Sequence, residues 1–159
     1  MNKKVHFIVS QAIVSSLYVV LTLIVGPFSF NAIQLRISEI LILLCFYKKD
    51  YIIGLSLGTF IANLFSPMLI YDISLGLLAS VLSIIAIYKS KNLYIAIIFP
   101  VVFNGLLVGM SLYLALDLPF FLSALEVAIG ELLAMIIGIV LFKLLERNER
   151  FIKMIKFEN

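Results

Sequence analysis

The feature that most constrains this chain is a succession of continuous apolar stretches, each close to the length of a membrane span. A membrane helix needs roughly 17–25 predominantly apolar residues. Hydrophobic residues make up 64% of the 159 residues and charged residues only 13%, whereas soluble domains are about half apolar and about a quarter charged. The sequence therefore predicts an integral membrane protein. Because the stretches are continuous rather than alternating, we expect helices rather than a barrel.

Six stretches qualify as predicted spans, at about residues 7–25, 32–47, 51–65, 72–88, 93–116 and 119–142. The second and third are short. No linker, low-complexity tract or sizeable soluble domain separates the spans, and a charged amphipathic tail, 143–159, follows the last one. We predict an all-α fold, a compact six-transmembrane-helix bundle in which residues 1–159 form a single transmembrane domain.

The basic residues predict how the chain is oriented in the cell membrane. Cytoplasmic loops of membrane proteins carry an excess of lysine and arginine, and with six spans eleven of the twelve basic residues fall on one side. These eleven are Lys3, Lys4, Lys48, Lys49, Lys89, Lys91, Lys143, Arg147, Arg150, Lys153 and Lys156. Both termini are therefore expected in the cytoplasm. The alternative that the first stretch is a cleaved signal peptide lacks a small-x-small cleavage site.

The acidic residues show the opposite bias. Four acids accompany the eleven cytoplasmic basic residues, which leaves a net charge of +7 on that side. The remaining half carries one arginine and five acids, a net charge of −4, and its acids are Glu39, Asp72, Asp117, Glu126 and Glu131. An acidic outer half suits a ligand that is cationic or rich in hydrogen-bond donors.

A charged side chain at bilayer depth is costly and marks a functional site by default. The start of the second stretch combines Gln34, Arg36, Ser38 and Glu39. Arg36 and Glu39 are three residues apart, so that they can pair on one face of a helix. One interpretation is a structural ion pair near the interface, with Arg36 extending outward; the other is a ligand site.

Three further polar residues have both a structural and a functional interpretation. Asn63, at the end of the third stretch, is either a helix-terminal hydrogen-bonding residue or a ligand contact. Asp72 begins the fourth stretch, where the helix dipole stabilises an aspartate. Asn104, inside the fifth stretch, is either a ligand contact or a link between helices.

Glu126 and Glu131 lie inside the sixth stretch, about seven and twelve residues from its start. The third to sixth stretches contain no basic residue. Two carboxyl groups at this depth without a basic partner must be protonated, hydrated or available to a ligand. We interpret them as part of a binding site.

Small residues recur at intervals of four and allow helices to approach closely. Two of these patterns are Gly54, Gly58 and Ala62, and Gly130, Ala134 and Gly138. Ala12 and Ser16 form a third in the first stretch. Such patterns usually pack inside a bundle, but on an outer helix they can also dock a partner membrane subunit.

Several chemistries are missing from the sequence. There is no G-x-x-x-x-G-K-[ST] phosphate loop, so the chain cannot hydrolyse ATP by that route. The single cysteine, Cys45, excludes an internal disulfide, and the single histidine, His6, lies near the start of the first stretch. We expect no catalytic site, no metal, no cofactor and no nucleic-acid partner.

The polar residues and their apolar surroundings resemble the queuosine precursor transporter family. The resemblance rests on "AIQLRISEILILL", "IIGLSLGTFIANLFSP", "YDISLGLLAS" and "NGLLVGMSLYLALDLPFFLSALEVAIGELLAMIIG". It covers about residues 12–142. Its most specific part is the run Ile33 to Glu39, combined with Asn63, Asp72 and Glu131.

The resemblance implies the substrate-binding (S) component of an energy-coupling factor (ECF) transporter. Such a component has six helices, captures substrate from outside, and associates with a transmembrane coupling subunit and two ATPase subunits. The implied ligand is a 7-deazaguanine such as 7-aminomethyl-7-deazaguanine. The candidate binding residues are then Gln34, Arg36, Ser38, Glu39, Asn63, Asp72, Asn104, Glu126 and Glu131, and the candidate docking residues are Ala12 and Ser16.

Other functions remain open at this point. An S component for another vitamin, such as thiamine or riboflavin, is the nearest alternative. A lipid-modifying membrane enzyme would need an acidic metal or phosphate motif, whereas the acids here are spread over separate stretches. A structural or chaperone-like membrane protein would explain the glycine patterns but not the five acids outside the cytoplasmic side.

Overall fold

The regular secondary structure of the protein is all helix in the residues that its computed structural model describes, 3–26 and 36–156, with no strand among them. Six of the helices are apolar, and a short charged helix follows them. In chain order they are α1 (Lys3–Ile24), α2 (Ile37–Tyr47), α3 (Tyr51–Asn63), α4 (Leu69–Lys89), α5 (Leu93–Leu116), α6 (Phe120–Leu145) and α7 (Glu149–Lys156).

Four of the described helices, α1, α4, α5 and α6, are long and apolar enough to cross a membrane. The helices α2 and α3 are apolar but shorter. They coincide with the second and third predicted stretches, so the length of the described helices supports four spans, and the count of six stays a prediction.

Local sequence explains where several of these helices begin and end. Pro67 follows α3 closely, and proline disfavours helical backbone in the residue before it. Asp117 ends α5 in the left-handed conformation, with φ of 54°, and Pro119 directly precedes α6. The side chain of Asn92 caps α5 by accepting a hydrogen bond from the backbone N–H of Tyr94 at 2.8 Å.

The helix α4 begins at Leu69, three residues before the predicted boundary. Its residues Asp72–Gly76 form a π-helical turn, a wider turn that occurs frequently at functional sites. Asp72 and Gly76 are both buried. A Cβ atom on Gly76 would lie 3.3 Å from Nδ2 of Asn63, so the glycine leaves room for that amide.

Small residues bring helix pairs into close contact, as the spacing predicts. A Cβ atom on Gly54 would lie 2.8 Å from the backbone oxygen of Gln11, and one on Gly58 would lie 3.0 Å from that of Ser15. The helices α1 and α3 therefore meet with little between their backbones. Similarly, α5 meets α6 at Gly109, where a Cβ atom would lie 2.6 Å from Cα of Ala124.

The charged tail packs against the lysine-rich end of the bundle. Ile155 in α7 is buried in the larger apolar core, and its carbonyl oxygen accepts a hydrogen bond from the Tyr51 hydroxyl at 3.0 Å. The Tyr47 hydroxyl donates to Oε1 of Glu146 at 2.9 Å. These contacts hold the corner between α2 and α3 against the residues that follow α6.

Candidate functional site

The length of α2 and α3 limits how far their polar ends could reach across a membrane. The 13 residues of α3 span about 20 Å at 1.5 Å per residue, and α2, which is mostly 3₁₀ helix over Ile37–Leu43, spans about the same length. The hydrocarbon core of a bilayer is about 30 Å thick. If the lysines between the two helices lie at one interface, then Arg36 and Asn63, at the far ends, lie well short of the other.

Arg36 joins three helices at these polar ends. Its Nη2 lies 3.9 Å from Oδ2 of Asp72 in α4, and its Nη1 donates to Oδ1 of Asn63 in α3 at 3.5 Å. Nδ2 of Asn63 in turn donates to the backbone oxygen of Asp72 at 2.7 Å. The Ser66 hydroxyl donates to Oδ2 of Asp72. The end of α3 and the π turn of α4 are thus held together around one guanidinium.

Arg36 and Glu39 do not pair on one helix face, which their spacing of three residues would have allowed. Arg36 precedes the first turn of α2 with extended backbone, φ of −90° and ψ of 92°, so it does not share a helix face with Glu39. Its ion pair is made with Asp72. Glu39 still interacts electrostatically with the guanidinium.

Glu39 is fully buried and receives two hydroxyl donors on the same oxygen. The Tyr18 hydroxyl of α1 donates to Oε1 of Glu39, and Oγ of Ser80 in α4 donates to the same Oε1 at 3.3 Å. The second oxygen, Oε2, has no hydrogen-bond partner within the described part of the chain. One half of this carboxylate is therefore fixed, and the other half is available.

Glu131 reaches the same region from α6 and is 2% exposed. It lies beside Asn104 of α5 and interacts electrostatically with Glu39 and Arg36. Oε1 of Glu131 and Nδ2 of Asn104 are both buried, and neither has a hydrogen-bond partner among residues 3–26 and 36–156. A carboxylate and an amide thus lie close enough to interact with each other inside the bundle.

The cluster contains more carboxyl groups than basic groups. Arg36 is the one basic residue among the buried side chains that the structure describes, whereas Glu39, Asp72 and Glu131 are all buried there. An unneutralised charge inside an apolar bundle is costly. A ligand that brings N–H donors or a positive charge to Glu39 and Glu131 would lower that cost. No group of three or more candidate metal ligands occurs among the described residues.

The structure places most of the predicted site residues in the interior. Arg36, Ser38, Glu39, Asn63, Asp72, Asn104 and Glu131 are all buried. Ser38 lies next to the cluster, where its hydroxyl oxygen accepts a hydrogen bond from Thr22 at 2.7 Å.

Three groups of predicted residues lie elsewhere. Glu126 is half-buried, and a separation of five residues turns it roughly 140° around α6 from Glu131. Ala12 and Ser16 are exposed on α1, as docking residues need to be. Gln34 lies outside the described residues.

The sequence reasoning missed the contribution of α1. Its buried face carries Gln11, Ser15, Tyr18 and Thr22, whose spacing of four, three and four residues follows the 3.6-residue helical repeat. In an apolar span this stripe of hydrogen-bonding side chains is the signal that could have identified the face of α1 that meets α2 and α3. Ser80 was also missed, and an isolated serine in α4 offers no comparable pattern.

Sequence comparison gives the family. The family model described as "QueT transporter" matches residues 8–147, which include all the candidate site and docking residues. The chain belongs to this family. It is therefore a multi-pass membrane transport protein, in agreement with its four helices of spanning length.

One curated relative is similar over most of both chains. The "Queuosine precursor transporter QueT" of Lactococcus lactis subsp. cremoris (strain MG1363) is 30% identical over 153 residues, which cover 86% of this chain and 90% of the relative. No solved structure matches the chain.

We predict that Arg36→Met destabilises the protein by about 3–5 kcal/mol, because it leaves the carboxylate of Asp72 buried without its cation. Adding Asp72→Asn to this variant should restore part of the loss. Thermal unfolding in detergent measures both effects, and Arg147→Met, at an exposed arginine, is the matched control. An Arg36→Met variant as stable as the wild type would show that the guanidinium does not hold the cluster together.

Proposed function

We propose that the protein is the substrate-binding membrane subunit of an ECF-type importer for a queuosine precursor. The expected substrate is a 7-deazaguanine such as 7-aminomethyl-7-deazaguanine. The observation that carries the proposal is the buried cluster, in which Oε2 of Glu39 and Oε1 of Glu131 lack partners in the described residues. The name of the Lactococcus relative supports the choice of substrate.

The chemistry of such a ligand complements the cluster. A guanine-like edge presents adjacent N–H donors, which a carboxylate can accept in pairs, and the aminomethyl group is a cation near neutrality. Hydrogen bonds to a charged group are about twice as strong as neutral ones. In this proposal Glu39 and Glu131 accept from the ligand's nitrogen atoms, and Asn104 donates to a ligand oxygen.

The remaining candidate residues have supporting roles in the proposal. Arg36, Asn63 and Asp72 form the hydrogen-bonded wall of the site, and Ser38 lies beside Glu39. Gln34 and Glu126 are proposed as further ligand contacts.

The proposed membrane arrangement has six spans, with both termini in the cytoplasm and residues 1–159 in one domain. In this arrangement the corner between α2 and α3 and the charged tail face the cytoplasm. The cluster then lies below the outer surface, at the ends of two helices too short to reach it.

The chain is proposed to depend on partners for energy, since the sequence lacks a phosphate loop. A transmembrane coupling subunit would dock on α1 at Ala12 and Ser16, and two ATPase subunits would complete the importer. Exposure of both small residues supports this choice, because small residues let two helix backbones approach closely.

We predict that Glu39→Gln and Glu131→Gln each weaken binding of 7-aminomethyl-7-deazaguanine at least tenfold, about 1.4 kcal/mol. Each change replaces a charged acceptor by an amide, which is a poorer partner for a cationic, donor-rich ligand. Isothermal titration in detergent measures the affinity. Glu149→Gln, at an exposed position of α7, controls for the loss of a carboxylate. Wild-type affinity in both site variants would remove these residues from the site.

We predict that Ser16→Leu abolishes co-purification with an ECF coupling subunit and its ATPases while leaving ligand affinity unchanged. The larger side chain would hold the partner helix away from α1. Ser74→Leu makes the same change at an exposed serine of α4 and should preserve the complex. Equal recovery of partner subunits with both variants would contradict docking at this face.

A further inference from the structure

We propose that Tyr18 of α1 is a positioning residue for the substrate site, because it fixes one oxygen of Glu39 and so aims the other at the ligand. The inference rests on the proposed function and deepens it. It assigns a role in recognition to a helix that contributes none of the predicted binding residues.

The contacts of Tyr18 place its hydroxyl between α1, α2 and α3. The side chain is 1% exposed, and its hydroxyl donates to Oε1 of Glu39 in α2 and lies beside Thr59 of α3. The Cβ atom of Tyr18 lies only 3.0 Å from the position that a Cβ atom on Gly58 would occupy. The glycine thus lets α1 approach α3 closely at the turn that carries Tyr18.

The two donors to Glu39 act on the same oxygen. Tyr18 and Ser80 both donate to Oε1, from α1 and α4 respectively, and two directions of approach fix the plane of the carboxylate. Oε2 is buried and has no partner in the part of the chain that the structure describes. Rotation of the carboxylate would break both hydrogen bonds, so they determine where Oε2 lies.

A purely structural link between α1 and α2 would not need a carboxylate. One helical turn further along α1, Thr22 and Ser38 already join the same two helices through neutral hydroxyl groups at 2.7 Å. Burying a carboxylate is far more costly than burying a hydroxyl. The Tyr18–Glu39 contact is therefore better explained by recognition than by packing alone.

The test is a double-mutant cycle on ligand affinity. We expect Tyr18→Phe to weaken binding of 7-aminomethyl-7-deazaguanine about tenfold, and to have no further effect in a Glu39→Gln background, because it acts only through Glu39. In a Glu131→Gln background the tenfold effect should remain. Titrations extended to millimolar ligand keep the weak variants measurable, and Tyr113→Phe, at an exposed tyrosine of α5, is the control.

Ser80→Ala provides a second variant, should loss of the tyrosine hydroxyl prevent folding. It removes the other donor to the same oxygen, and we expect about threefold weaker binding that also disappears in the Glu39→Gln background.

Two outcomes would overturn the inference. Unchanged affinity in Tyr18→Phe would show that Glu39 needs no positioning by α1. An equal loss in the wild-type and Glu39→Gln backgrounds would show that Tyr18 acts independently of Glu39, as a residue with a general packing role does. If the wild type itself binds no 7-deazaguanine, the proposed function fails and the inference fails with it, and this result is distinct from the other two.

Discussion

The buried ion pair between Arg36 and Asp72 is the interaction on which the rest of the site depends. It places the one basic side chain among the described buried residues where α2, α3 and α4 meet, with 3.9 Å between Nη2 and Oδ2. The pair accounts for one of three buried carboxylates. Glu39 and Glu131 therefore share a guanidinium that already pairs with Asp72, and the interior keeps a surplus of carboxyl groups over basic groups.

Close packing keeps this charge cluster rigid. The glycines of α3 let α1 approach until Tyr18 reaches Glu39, and Gly76 leaves space for the amide of Asn63 next to Asp72. The surrounding apolar side chains exclude water, and electrostatic interactions are stronger at low dielectric. The same small residues thus serve two purposes, since they assemble an apolar bundle and hold hydrogen-bonding groups in fixed positions. In the proposed function, selectivity for a planar, nitrogen-rich ligand depends on the second purpose.

Charged residues inside apolar stretches made much of the buried candidate cluster predictable. Arg36, Glu39 and Glu131 stand out in apolar stretches because few structural roles offset the free-energy cost of burying a charged side chain. In the structure all three are buried close to one another. Tyr18 and Ser80 could not be identified in the same way. Such residues are common in membrane helices, and their contact with Glu39 depends on the rotation of α1 and α4 around their axes, which no local pattern specifies. The pairing of Arg36 with Asp72 likewise depends on the extended backbone before α2 and on the π turn of α4.

The most direct measurement is the thermal unfolding of the purified wild-type protein with and without added ligands. Thiamine is a cation without a guanine-like edge, so it separates attraction by charge alone from recognition of both features. The account predicts that 7-aminomethyl-7-deazaguanine raises the unfolding temperature in a saturable manner, because a ligand that binds only the folded state stabilises it, and that thiamine does not. A shift with thiamine and none with the deazaguanine would contradict it.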